Sequence, residues 1–284
     1  MSPTATMFVS GPDRRGLVAE IAGFIHRNNG NITHSDHHID TETGLFLTRV
    51  EWELEGFRIP REAVAASFAP VADSLGMRFD LRYSDGGQRM AIFVSKYEHC
   101  LSDLLHRSVS GELRGVVALV VSNHPDLEPL AKQFGVPYYV FPITPETKKE
   151  QEARELELLH AHGVDLVVLA RYLQVFTPEF VAHYPQRMIN IHDSFLPAFV
   201  GARPYHQAYE RGVKLIGATS HYVTDKLDDG PIIEQDVVRV SHRDTVQDMI
   251  RKGRDLERVV LARAVRLHLE HRVLAYGRKT VVFD

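Results

Sequence analysis

Four short runs in the middle of the chain constrain its fold more than any other feature. They are MAIFVS (90–95), VVALVVS (116–122), DLVVLA (165–170) and RMINI (187–191). Each is nearly continuously apolar, as expected of a strand buried on both faces, and not of one that alternates between core and water. Between them lie HCLSDLLHRSV (99–109), LEPLAKQFG (127–135) and KKEQEARELELLHAHG (148–163), which carry helical patterning; PYYVFPI (137–143) reads as a further strand. Buried strands alternating with amphipathic helices predict an α/β unit with a Rossmann-like, mostly parallel sheet. In such sheets ligands bind at the carboxyl ends of the strands.

The first eighty residues follow another pattern. ATMFVSG (5–11) reads as a strand, and Leu17, Ile21, Phe24 and Ile25 repeat at helical spacing before Asn28-Asn29-Gly30 closes the helix. NITHSDHHIDT and GLFLTRVEWEL predict a hairpin through Glu42-Thr43-Gly44. A helix then starts with Pro60 as its first residue, and MRFDLRY closes the unit. The order βαββαβ is ferredoxin-like, and GPDRRGLVAEIAGFIHRNNGNI resembles the opening of an ACT domain. That resemblance implies a small effector such as an amino acid, or pairing with a second ACT domain. SDGGQ (84–88) is the polar break between the patterned regions. Two domains are therefore expected, 1–84 and 85–284. His34, Asp36, His38 and Asp40 share one face of the second strand, with His37 opposite; they suit either a metal or a solvated or subunit-facing strand.

Composition narrows the function classes. A net charge of −4 argues against a dedicated nucleic-acid surface. The single cysteine, Cys100, excludes an internal disulfide and fits a reducing, cytoplasmic compartment. It has no local activating group and reads as a packed thiol, not a nucleophile. The amino terminus lacks the pattern of a secretion signal, and no apolar run approaches a membrane span. After the first buried strand the turn is KYEHCL, without glycines to wrap a phosphate, so a dinucleotide cofactor is not expected there.

The chemistry gathers between Arg187 and Val240. Asn190 and His192 lie two apart on a strand, hence on one face. A buried Asn amide is a structural cap or a donor aimed at a developing oxyanion. His192 can move protons near neutral pH. Asp228, in LDDGP, joins them if the end of KLIGATSHYV meets the end of RMINI at the carboxyl edge of the sheet. No GxSxG elbow presents a serine, so attack by water or an amine is expected. Arg171 either holds an acidic substrate tail or covers the sheet edge.

NIHDSFLPAF and GATSHYVTDKLDDGPIIEQ resemble the folate-dependent formyltransferase family over about residues 88–284. The ACT-like start matches the branch of that family that hydrolyses 10-formyltetrahydrofolate to formate and tetrahydrofolate. The resemblance implies Asn190, His192 and Asp228 as catalytic residues. It implies a pterin slot formed by Arg171, Leu173, Val175, His221, Thr224 and Leu227. It also implies no metal, no tightly bound cofactor and a homo-oligomer. Asp193 matches neither the proline common in the transferases nor the histidine usual in the hydrolases. Two alternatives stand beside hydrolysis: formyl transfer to an amine, against which the missing glycine-rich loop counts, and a non-catalytic ACT-type binding protein. The closing segment from Ser241 predicts a long amphipathic helix with a solvated charged face, then a short strand.

Overall fold

The computed structural model describes residues 2–198 and 203–283. The elements in chain order are β1 (Thr4–Pro12), α1 (Leu17–Arg27), β2 (Ile32–Asp40), β3 (Leu45–Glu53), α2 (Val64–Leu75) and β4 (Arg78–Tyr83). There follow β5 (Gln88–Val94), α3 (His99–Val109), β6 (Gly115–Ser122), α4 (Glu128–Gln133), β7 (Tyr138–Val140), α5 (Lys148–Ala161) and β8 (Leu166–Leu169). The last group is α6 (Pro178–Ala182), β9 (Met188–His192), α7 (Pro204–Arg211), β10 (Leu215–Tyr222), β11 (Ile232–Arg239), α8 (Val246–Leu269), β12 (Val273–Tyr276) and β13 (Lys279–Val282). No described helix is long and apolar enough to cross a membrane.

Two compact units divide the chain: Met1–Gly87 with Glu270–Leu274 and Val281–Asp284, and Gln88–Leu269 with Ala275–Thr280. The first has the expected βαββαβ order and an antiparallel sheet β2-β3-β1-β4. Its core holds Met7, Ile21, Ile25, Trp52 and Phe68 at no more than 1% exposure, each worth about 1.5–3 kcal/mol by burial. Pro60 does not open α2. It precedes a 3-10 turn, Arg61–Ala63, which then feeds the α-helix. Along β2, His34 Nδ1 lies 3.1 Å from Arg49 Nη1, and Asp40 accepts hydrogen bonds from the turn amides of Glu42 and Thr43. Among the described residues this strand does not gather three metal-ligating groups.

The second unit carries a seven-stranded sheet of order β11-β10-β9-β8-β5-β6-β7. Strands β9, β8, β5, β6 and β7 are parallel, whereas β10 runs antiparallel to both β9 and β11. The expected parallel core is present, with two differences. β11 was not anticipated, and β7 is shorter than PYYVFPI suggested. The end of the chain forms a hairpin of two short strands, β12 and β13, where one was expected. Helix α8 begins in a reciprocal cap: Asp248 N donates to Thr245 Oγ1 and Thr245 N to Asp248 Oδ2.

Candidate active site

Strand β9 lies inside the sheet, and its side chains at 190 and 192 share a face. The expectation that β10 would end beside the end of β9 fails, because β10 runs the other way. Its register sets His221 opposite Asn190 and Thr219 opposite His192, with an irregularity between Ser220 and His221. The polar faces therefore meet across the strands. The turn after β10 brings the carboxylate back to them. Tyr222 N donates to Pro231 O at 2.9 Å, and a Cβ on Gly230 would lie 1.7 Å from the Tyr222 carbonyl oxygen. Glycine is thus required where the turn closes. Asp228 sits within it at φ +53°, a left-handed conformation that Asp tolerates better than most residues.

Asn190, His192, His221 and Asp228 form one cluster. Asp228 Oδ2 lies 3.4 Å from His192 Nδ1, and its Oδ1 lies 3.7 Å from His221 Nε2. His221 Nδ1 donates to the Tyr222 carbonyl at 2.9 Å, and its Nε2 lies 3.3 Å from Asn190 Nδ2. The imidazoles of His192, then His221, outweigh burial and hold the Asp228 carboxyl far below the usual carboxylate range. His192 is 8% exposed, and its Nε2 is buried without a protein partner. One nitrogen of this imidazole thus faces a fixed anion, while the opposite nitrogen has no protein partner.

A cavity of about 570 Å³ opens beside this cluster, within the range of small-molecule sites. All nine residues expected at the site line it: Asn190, His192 and Asp228, together with Arg171, Leu173, Val175, His221, Thr224 and Leu227. Leu173, Val175 and Leu227 are 58%, 56% and 66% exposed. Thr224 donates to Lys226 O at 3.1 Å within the turn. Two further residues position the walls. Ser95, at the end of β5, donates from Oγ to Asn123, accepts from Leu173 N, and through its own N donates to Arg171 O. Thr219 Oγ1 donates to Ser194 O and accepts from Leu196 N, fixing the segment after β9. Ser95 is marked by its place directly after an apolar strand, and Thr219 as a polar side chain buried inside one.

Arg171 is not a free cation. At φ +64°, it aims Nη2 at Asp193 Oδ2, 2.9 Å away, and Nε lies 3.5 Å from Glu257 Oε2 in an ion pair without a hydrogen bond. Burial alone would lower its pKa, but Glu257 and Asp193 reverse the sign and keep it charged. Asp193, which matched neither branch of the family, is the partner of this arginine. Glu257 is 1% exposed on α8. It also lies 2.9 Å from His99 Nε2 and accepts the Tyr205 hydroxyl proton at 2.7 Å. A Cβ at Gly253 would fall 2.0 Å from the Tyr205 hydroxyl, so the helix needs glycine there to let that bond form.

His99, Cys100 and Glu257 are the only described trio whose donor atoms lie close enough to share an ion. Their chemistry does not suit one. Glu257 is engaged by Arg171, His99 and Tyr205, and burial, then Glu257, pushes the Cys100 thiol up, away from the thiolate a metal needs.

Beneath the cavity wall, Glu155 is fully buried. Its Oε1 receives the Tyr172 hydroxyl at 3.4 Å, while Oε2 has no partner. Burial, then the neighbouring Glu152, raises its pKa to about 8. The folded state therefore keeps a proton that the unfolded chain has lost. Stability falls as pH rises from about 4.5 to about 8 and levels off above that. Glu155→Gln, which never ionises, is expected to gain about 5 °C or more in Tm over the parent protein between pH 5 and pH 9. Parallel Tm curves across that range would refute the assignment.

Comparison with known proteins agrees with this architecture. A formyl transferase family profile matches residues 88–265. The formyltetrahydrofolate deformylase of Synechocystis sp. is 59% identical over 280 residues, covering 99% of this chain and 98% of that protein. The crystal structure of a formyltetrahydrofolate deformylase from Pseudomonas syringae pv. tomato superposes with a TM-score of 0.97 at 47% identity, covering 100% of this chain and 95% of that one. Glycinamide ribonucleotide transformylase 1 of Symbiobacterium toebii gives 0.67 at 35% identity, covering 72% of this chain and 98% of that one. The chain belongs to the formyl transferase family and, within it, to the formyltetrahydrofolate deformylases.

Proposed function

We infer that the chain hydrolyses 10-formyltetrahydrofolate to tetrahydrofolate and formate, and that Asn190, His192 and Asp228 carry the reaction. The observation that supports these roles is the divided environment of His192: Nδ1 faces an ionised Asp228, while Nε2 is buried without a protein partner, on a residue that lines the same cavity as Asn190. Water adds to the formyl carbon and gives its proton to His192 Nε2. Asn190 and the imidazolium so formed donate to the oxygen that becomes negative, and the ionised Asp228 stabilises that imidazolium. The C–N10 bond then breaks, and the imidazolium returns the proton to N10. His221 positions the Asn190 amide and the Asp228 carboxylate without a separate chemical step. The pterin lies between the segment Arg171–Val175 and the turn holding Thr224 and Leu227, where apolar side chains border strand-end backbone groups.

The turn Lys96–Leu101 supports water over a nucleotide amine as acceptor, since it has no glycine to bring backbone amides around a phosphate. On the same reading the domain of residues 1–84 is a regulatory module for a small ligand such as an amino acid. The protein then acts as a homo-oligomer in the cytoplasm, consistent with one cysteine kept as a buried thiol. The decisive assay incubates the purified protein with 10-formyltetrahydrofolate alone and follows formate and tetrahydrofolate. Hydrolysis without any amine is the expected result. Turnover only on addition of an amine would replace this reading by formyl transfer.

A further inference from the structure

A second cavity, of about 210 Å³, adjoins the first, and Arg171, Asp193, Arg203 and Pro204 line both. Its other walls include Tyr97, His99, His206, Arg254 and Glu257. Three arginines and two carboxylates thus face it, an excess of one positive charge with the histidines neutral. The carboxylates are already engaged: Asp193 by Arg171, and Glu257 by His99, Tyr205 and Arg171. Among the described residues Arg254 has only the face of Tyr97, 5.1 Å from its guanidinium carbon. Neither Arg254 nor Arg203 has a carboxylate within ion-pair distance among the described residues. The cavity therefore offers two uncommitted guanidiniums, and one of its walls is Asp193, the residue after His192.

We propose that this second cavity is a subsite for the formate ion produced by hydrolysis. The inference rests on the hydrolytic reading above. Addition of water to the formyl carbon and cleavage of C–N10 release formic acid, which gives its proton to solvent at neutral pH. A new monoanion thus arises beside Asp228, an ionised carboxylate that repels it. The Arg203 and Arg254 pair lines the cavity that adjoins the site of this anion across the Arg171–Asp193 wall. Coulombic attraction between a carboxylate and a guanidinium is appreciable in a partly desolvated cleft. The excess of one charge matches a monocarboxylate and not a dianion such as phosphate. The cavity's small size admits formate while the folate still occupies the larger one. Formate so held leaves by a path separate from that of tetrahydrofolate.

The test measures hydrolysis by the full chain at constant ionic strength, with added formate, the neutral isostere formamide, or inorganic phosphate. Formate binding is also titrated directly on the resting protein by NMR of 13C-formate. Formate is expected to inhibit, with a Ki that rises roughly three- to tenfold in Arg254→Gln and in Arg203→Gln, and returns toward the parent value in Arg254→Lys. Formamide should be much weaker and indifferent to these substitutions. Equal formate inhibition in the parent and Arg254→Gln, equal potency of formamide, or tighter binding of phosphate would each overturn the subsite while leaving hydrolysis intact. Formate binding that Arg254→Gln abolishes, in a protein without turnover on 10-formyltetrahydrofolate alone, would support an anion subsite and overturn the hydrolytic reading.

Discussion

Asp228→Asn is expected to lower kcat by about 10³–10⁴-fold with little change in KM, the scale seen when a carboxylate orienting a catalytic histidine becomes an amide. The carboxylate touches both imidazoles of the cluster, His192 at 3.4 Å and His221 at 3.7 Å. Asparagine keeps the shape and the turn, since it too tolerates the left-handed backbone at this position. It removes the negative charge that opposes a positive His192. It can also present N–H to a ring nitrogen that should itself donate. Neither change touches the apolar side chains proposed to seat the pterin, so the loss should fall on turnover and not on substrate affinity. Stopped-flow or steady-state kinetics on the folded variant decide the matter. A variant retaining a tenth of the activity would remove Asp228 from the catalytic set. Folding offers a second check. A carboxyl held below its ordinary range stabilises the native state above about pH 4, and that contribution fades as pH falls further. The variant should therefore approach the parent in stability only in acid.

Asn190→Ala is the other large expected effect, a fall in kcat of about 10²–10³, equivalent to about 3 kcal/mol of barrier for one lost oxyanion donor. Its amide is held by His221 Nε2 at 3.3 Å, and the strand carbonyl of Asn190 accepts from Ser220 Oγ at 3.0 Å. Truncation to alanine leaves that backbone bond and the β9–β10 register in place, so the fold should survive. Asn190→Asp, similar in shape but without the N–H donor, should be at least as damaged. Near-parental turnover by either would sink the oxyanion role.

The parallel core and the cluster of Asn190, His192 and Asp228 were legible for different reasons. Strands buried on both faces leave long apolar runs that no other architecture uses so freely. The three polar residues were found by spacing and by resemblance, not by hydropathy. What escaped reading is equally specific. Hydropathy carries no sense of direction, so nothing in KLIGATSHYV told that β10 runs antiparallel and sets His221 opposite Asn190. IIEQDVVR is a half-exposed edge strand whose burial is too irregular to announce β11. Glu257 was hidden in a helix taken as charged outside. Yet it falls on the buried stripe through Met249, Gly253, Val260 and Ala264, and a carboxylate on such a stripe signals a buried partner. Asp193 could not be understood until Arg171 was seen beside it, because their pairing joins the ends of two strands.

The exposed side chains at the mouth of the larger cavity bear on the heat of binding. Leu173, Val175 and Leu227 stand more than half in water, and a pterin bound among them as proposed takes that apolar surface out of solvent. Such burial lowers the heat capacity of the complex. The binding enthalpy then becomes more favourable on warming while the entropy becomes less so, and folate affinity varies with temperature far less than either component.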